Sequence, residues 1–328
     1  MANAAQMVAL LESHLNGNDE HFYAIALQVA ANEAKQGHEK LALEIRQLVD
    51  NAKLYKAKRN VFPLNRPRGE LASLLSVSYP EYRLSDMVLS DQLANQLKRI
   101  IREHRSSAKI MEHGLSPRRK LLLIGPPGTG KTLSASVLAG ELGFPLFQVR
   151  LDGLITKFMG ETAAKLRQIF DVTIQTRGIY FFDEFDAIGS ERGLANDVGE
   201  IRRILNSFLQ MIEQDSSNSL IIAATNHPEI LDRALFRRFD DVLKYENPDG
   251  QQAARLLRER LTNYSEKNIE WGPIGATSVG LSYAEIAKAC HDVIKDALMN
   301  GNKLISAPQL LLAIQERHEL VERVKTII

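Results

Sequence analysis

The chain has 328 residues, enough for about two domains at roughly 150 residues each and for a core that needs no disulfides. It is 45% hydrophobic and 25% charged, and 41 basic against 40 acidic side chains leave a formal charge of +1. That balance excludes nucleic-acid binding by bulk charge and excludes an acidic tail. One cysteine, Cys290, excludes a disulfide framework, a thiolate zinc site and an iron–sulfur cluster, and its apolar helical surroundings mark it as packing.

No Lys or Arg precedes Lys35, and Glu12 interrupts the apolar run Met7 to Leu11, so no export signal is expected. The most apolar blocks, Leu121–Ile124 and Leu220–Ala224, are far shorter than the ~20 residues of a membrane helix. The expectation is a cytoplasmic protein without a membrane segment.

Residues 1–60 read as about three short helices. Phe22, Ile25 and Val29 fall at i, i+3 and i+7, as Leu41, Ile45 and Leu48 fall at i, i+4 and i+7. Asn16-Gly17-Asn18-Asp19 and Gly37 punctuate them. Such a small all-α module carries no catalytic constellation and is expected to dock a partner. Residues 61–83 read as a Pro-containing linker. From Asn51 to Gly69 there is no acidic residue, while Lys53, Lys56, Lys58, Arg59, Arg66 and Arg68 accumulate, either as a solvated hinge or as a basic arm for an acidic partner or nucleic acid.

Residues 84–247 alternate short apolar strands with helical periods, the pattern of a parallel α/β sheet flanked by helices. Strands are predicted at Leu121–Ile124, Leu146–Val149, Ile179–Phe182, Leu220–Ala224 and Val242–Tyr245, with helices beginning near Thr132, Thr162, Glu200 and Glu229. In residues 248–328 the strands stop. Helical patterns at Gln251–Leu261, Tyr283–Met299 and Pro308–Leu320 predict an all-α subdomain.

Gly125-Pro126-Pro127-Gly128-Thr129-Gly130-Lys131-Thr132 fits G-x-x-x-x-G-K-[ST] between a strand and a helix. Such a loop turns backbone N–H groups around phosphate oxygens, and the helix N-terminus adds positive potential. Lys131 would reach the β- and γ-phosphates of ATP, and the Thr132 hydroxyl would ligate Mg²⁺. The strand Ile179–Phe182 ends in Asp183 and Glu184, at the carboxyl end where ligands bind in such sheets. Asp183 would hold the Mg²⁺ shell, through water, and Glu184 would polarise the attacking water of a hydrolase.

Together these residues resemble the AAA+ ATPases, whose fold is a P-loop NTPase sheet followed by a helical lid. Asn226, in Ala224-Thr225-Asn226, resembles the first sensor of that family, which contacts the γ-phosphate and nucleophilic water. Leu231 to Asp240 resembles the arginine-finger segment, and the adjacent Arg237 and Arg238 are similar to the pair in spastin, katanin and the ATPases that disassemble ESCRT filaments. In the family such arginines reach the neighbouring subunit's nucleotide, so the resemblance implies a ring, most often a homo-hexamer. Gly280-Leu281-Ser282-Tyr283-Ala284-Glu285-Ile286 is similar to the lid segment G-x-S-G-A-D-[IL], with Tyr283 where the family usually has Gly. Gly280 and Ala284 are thereby expected beside the adenine, and Asp86-Met87-Val88 resembles the segment whose backbone contacts it, through Asp86 and Val88. The resemblance runs from Leu84 to the end.

Lys157-Phe158-Met159-Gly160 resembles the central pore loop of protein-threading AAA+ rings. An aromatic face can wedge between side chains of almost any sequence, and Gly lets the loop bend. The alternative is that Phe158 and Met159 are core residues of the next helix. The loop Ser190 to Gly199 is either a second pore loop or an ordinary polar connection. The resemblance thus implies a ring motor that unfolds or remodels protein substrates, with residues 1–60 recruiting the substrate or a partner. The alternatives are a non-threading remodeller of one complex and a DNA-acting ATPase, the latter supported only by the basic linker. H-E-x-x-H is absent, so any peptidase would be a separate chain.

Overall fold

A computed structural model describes residues 13, 19–59, 74–151, 161–185, 197–231, 233–301 and 304–327. The chain divides into two compact units, Met1–Leu64 and Asn65–Ile328. In the first, helices α1 (Asp19–Lys35) and α2 (Glu39–Arg59) pack on each other. Ile25 and Val29 are buried as their spacing predicts. On α2 the period holds, but Ala42 and Val49 are the buried residues, while Leu41 and Leu48 are 46% and 64% exposed.

The second unit is built on a six-stranded sheet. Its strands in chain order are β1 (Leu75–Ser78), β2 (Lys120–Ile124), β3 (Leu146–Val149), β4 (Ile179–Phe182), β5 (Leu220–Thr225) and β6 (Asp241–Lys244). In space they run β1-β3-β4-β5-β2-β6, all parallel except β1, which pairs antiparallel with β3 in the register Leu75 to Val149. β1 corrects the sequence reading, because it lies inside the stretch taken as linker (61–83). Its Leu-Ser-Val-Ser pattern is too short and polar to announce a strand, and an edge position asks for only one neighbour.

Helices cover both faces: α3 (Asp91–Arg105), α4 (Ser107–Glu112), α5 (Lys131–Leu142), α6 (Thr162–Gln175), α7 (Asp197–Gln214) and the single turn α8 (Arg233–Phe236). Because successive side chains of a strand point to opposite faces, β4 must be apolar throughout. Ile179 and Phe181 enter one core with Leu97, Ile100, Leu121, Leu123 and Leu138. Phe182 faces the other way and meets Phe170 and Phe208 at ring-centroid separations of 5.9 and 4.9 Å. α3 is absent from the elements predicted above, although Leu93, Leu97, Ile100 and Ile101 form its buried stripe and Ser90 caps it by accepting from the Leu93 N–H. α7 starts at Asp197, before the expected Glu200. At Glu229 there is only a 3₁₀ turn (Pro228–Ile230) preceding α8.

The helical subdomain comprises α9 (Gly250–Leu261), α10 (Trp271–Thr277), α11 (Tyr283–Met299) and α12 (Ala307–Ile327) around its own core of Leu257, Leu281, Ile286, Cys290 and Leu310. Cys290 is fully buried, and burial pushes its thiol up to about 12. Since only the thiolate is nucleophilic, an alkylating reagent at pH 8 should leave Cys290 intact in the native chain and label it in denaturant. Rapid labelling of the native protein, read by mass spectrometry, would contradict this packing.

Candidate active site

The strand β2 delivers the phosphate-loop motif at its carboxyl end, and α5 begins at Lys131 directly after it. Two glycines are fixed by their surroundings. Gly125 has φ +147°, and a side chain there would overlap the carbonyl oxygen of Tyr245 at the end of β6. Gly128 has φ +76°, and a Cβ would stand 2.6 Å from Ser282 Oγ and 3.0 Å from the Ala284 Cβ. A non-glycine residue at either place must meet both a left-handed backbone and a collision. A hydroxyl relay supports the loop from behind: Tyr245 donates to Ser134 Oγ at 2.7 Å, and Ser134 donates to Gly130 O at 3.1 Å. Burial holds the Tyr245 phenol above its ordinary range, so it stays a donor.

A cavity of about 410 Å³ opens between this loop and the helical subdomain. Of the sequence-predicted residues, Asp86, Val88, Pro127, Gly128, Thr129, Gly130, Lys131, Thr132, Asp183, Glu184, Asn226 and Ala284 line it. Met87 and Tyr283, which lie within the two segments expected at the adenine, also line it, as do Leu133, Leu256, Arg260 and Ala287, to which the sequence pointed in no way. Met87 stands between the two expected contacts Asp86 and Val88. Leu256 and Arg260 sit four residues apart on α9, one face of a helix, but nothing in that spacing says which cavity the face meets.

Pro126 and Gly280 do not line this cavity. Pro126 is off the cavity wall and turns its carbonyl inward to accept from Thr129 Oγ1 at 2.7 Å and Lys131 Nζ at 2.8 Å. Gly280 is used for its backbone, with φ +100° in the turn that leads to the Ser282 cap of α11. Arg237 and Arg238 are also outside the cavity. Lys157, Phe158, Met159 and Gly160 lie outside the described residues, as does Ser190 to Asn196 of the second loop.

The polar groups converge. Lys131 Nζ donates to Gly125 O, Pro126 O and Asn226 Oδ1 at 2.7, 2.8 and 2.8 Å, so the ammonium is aimed along the loop towards the β5 end. Thr132 Oγ1 donates to Asp183 Oδ2 at 2.9 Å, and the other carboxylate oxygen accepts the Glu184 N–H at 3.0 Å. Glu184 is exposed to the cavity and has φ +50°, alone with a positive φ among the described non-glycine residues. A left-handed backbone at a non-glycine residue costs of order 1 kcal/mol and persists where the surroundings impose it, which happens most at functional sites. Thr132 and Asp183 are hard oxygen donors within hydrogen-bonding reach of each other. That set suits Mg²⁺, which takes one or two protein oxygens and completes its shell with water and phosphate.

The helical subdomain closes the cavity directly. The Ala284 N–H donates to Gly128 O at 3.0 Å, joining the start of α11 to the phosphate loop. Beside it Tyr283 donates to Gln252 Oε1 at 2.9 Å, and burial with the nearby Asp249 charge pushes its phenol up to about 12.

Residues 121–247 match the model of the ATPase family associated with various cellular activities (AAA). Over 320 residues the chain is 35% identical to the uncharacterized AAA family ATPase y4kL of Sinorhizobium fredii, covering 96% of each chain. The chain belongs to the AAA family of ATPases. As an AAA ATPase it binds and hydrolyses ATP, and the cavity between phosphate loop and helical subdomain is the candidate place. This AAA ATPase is also 32% identical to the proteasome-activating nucleotidase of Sulfurisphaera tokodaii, over 73% of its own length and 64% of the relative's. It is 30% identical to the ATP-dependent zinc metalloprotease FtsH of Sulfurovum sp., over 75% of its length but only 38% of that protein. The crystal structure of the FIGL-1 AAA domain superposes with a TM-score of 0.62 at 22% identity, covering 78% of this chain and 92% of that one, a likeness of fold. No helix of the described residues is long and apolar enough to cross a membrane.

Proposed function

We propose that the chain is the subunit of a homo-hexameric ring that uses ATP and Mg²⁺ to unfold or remodel protein substrates by drawing them through a central pore. The observation that carries the reading is the cavity walled by both subdomains, with Gly128 O bonded to the Ala284 N–H. A nucleotide lodged there touches phosphate loop and lid together, so its hydrolysis changes what holds the two at their angle. In this reading Lys131 and the loop N–H groups hold the phosphates. Thr132 and Asp183 hold the Mg²⁺, which when bound neutralises charge on the β- and γ-oxygens. Glu184 takes a proton from the attacking water, oriented with Asn226, and Arg237 and Arg238 of a neighbouring subunit would add positive charge at the transferring phosphoryl group from outside the chain. Leu256, Tyr283 and Ala287 would receive the base with Asp86 and Val88.

Work on protein substrates is supported by the names of two relatives, a proteasome-activating nucleotidase and an ATP-dependent zinc metalloprotease. Threading is supported by the Lys157-Phe158-Met159-Gly160 step in the sequence. Residues 1–60 would recruit the substrate or a partner, a separate peptidase among the candidates. Phe158→Ala is the experiment: ATPase activity should stay within about twofold, while ATP-dependent unfolding of a fluorescent protein substrate is lost, since Phe→Ala removes the gripping ring and no catalytic group. Undiminished unfolding would refute threading and favour a remodeller that does not thread.

A further inference from the structure

The segment that carries the two arginines is fastened on both sides. Leu235 and Phe239 are buried before and after the Arg237–Arg238 turn. Arg238 Nη1 lies 3.2 Å from Glu213 Oε2 on α7 of its own chain. Arg237 is exposed and makes no ion pair among the described residues. The next polar residue, Asp240, holds the segment down. Its Oδ2 accepts the backbone N–H of Arg119 at 2.8 Å and of Lys120 at 2.9 Å, and its own N–H donates to Lys120 O at 2.8 Å. Arg119 is itself fixed, because its guanidinium donates to the buried Asp215 carboxylate, which also accepts from Thr173 and Ser217.

We propose that Asp240 is the positioning residue of the Arg237 finger: one carboxylate oxygen pins the finger turn to the start of β2, so that Arg237 leaves the surface at a fixed place for the neighbouring subunit's nucleotide. The inference rests on the finger reading above and adds what aims it. Arg237 has no side-chain partner among the described residues, so the backbone is what defines its position. A guanidinium that stabilises phosphoryl transfer has to arrive within a fraction of an ångström, and a displacement of about 1 Å can cost ~100-fold in rate. The Asp240 bonds also pair two backbone donors at the start of β2. A strand cap and a finger anchor predict different behaviour, because β2 runs into the phosphate loop of its own chain whereas the finger serves the next one.

Mixed rings of full-length chains separate them. Glu184→Gln keeps its finger and lacks its base; Arg237→Ala keeps its base and lacks its finger. Mixing these two inactive proteins should restore ATP hydrolysis well above the sum of their separate rates, and failure there refutes the finger reading itself. Asp240→Ala alone should turn over ATP about 10- to 100-fold more slowly, with nucleotide affinity unchanged. Mixed with Glu184→Gln it should recover, since its own site borrows a well-placed finger. Mixed with Arg237→Ala it should not. Asp240→Asn, which can still offer one oxygen to both N–H groups, should rescue the rate. Should Asp240→Ala fail to fold, Asp240→Ser, whose hydroxyl is too short to span both donors, takes its place. The proposal is overturned if Asp240→Ala, or Asp240→Ser in its place, recovers with Arg237→Ala and not with Glu184→Gln, because the lesion then lies in its own nucleotide site. It is overturned equally by an unchanged rate.

Discussion

Glu184→Gln is expected to bind ATP as the native chain does and to hydrolyse it at least ~100-fold more slowly, the lower end of what a positioned general base contributes. The substitution preserves size and keeps a side chain in the same left-handed backbone, so the φ of +50° costs the same in both proteins. The phosphate-binding groups are elsewhere: Lys131 with its three acceptors, and the loop N–H groups. What is lost is the ability to accept a proton from water at the cavity wall. Asp183, bonded to Thr132, is assigned to the Mg²⁺ instead. Fluorescent-nucleotide titration and phosphate release check the two halves separately. Unchanged release would remove Glu184 from the reaction, and lost binding would make it a structural residue of the cavity.

Arg237→Ala should reduce turnover by ~1000-fold, the lower end of what an arginine finger supplies to phosphoryl transfer. The side chain is exposed and unpaired among the described residues, so its removal should change stability by no more than about 0.5 kcal/mol. Affinity of the isolated subunit for ATP should be untouched, since the arginine does not line its own cavity. Arg238→Ala should cost less, because that guanidinium already pairs with Glu213 in its own chain. Equal losses from the two substitutions would instead show both arginines acting on the nucleotide. A large fall in melting temperature for Arg237→Ala would mark it as a packing residue.

The parts of the site that one chain segment supplies are legible in the sequence. Gly125 to Thr132 needs only a strand before and a helix after, and β2 and α5 provide them. Asp183 and Glu184 could be placed at the mouth of the sheet because a short apolar run in an alternating strand–helix pattern reads as a strand buried on both faces. Leu256, Arg260 and Ala287 were not legible as cavity residues, since what brings them there is the docking of α9 and α11 over the phosphate loop, a tertiary fact with no local signature. The same holds for β1, whose pairing with β3 joins residues some seventy positions apart. On α2 the period predicted a helix correctly but not its buried side: Ala42 and Val49 are buried, and the larger Leu41 and Leu48 are exposed. Helical spacing identifies a stripe, and the partner decides which stripe is covered. Gly280, expected beside the adenine, has φ +100° in the turn that leads into α11.

The central claim is that each ATP site is complete only when a neighbouring chain contributes to it. Specific ATPase activity measured across a dilution series, with the oligomer followed in parallel by light scattering, tests this with the native protein alone. Turnover per chain should collapse over the same concentration range in which the ring dissociates, while ATP binding per chain persists. Turnover per chain that stays constant down to the monomer would contradict the account, because a single subunit would then hold everything that hydrolysis requires.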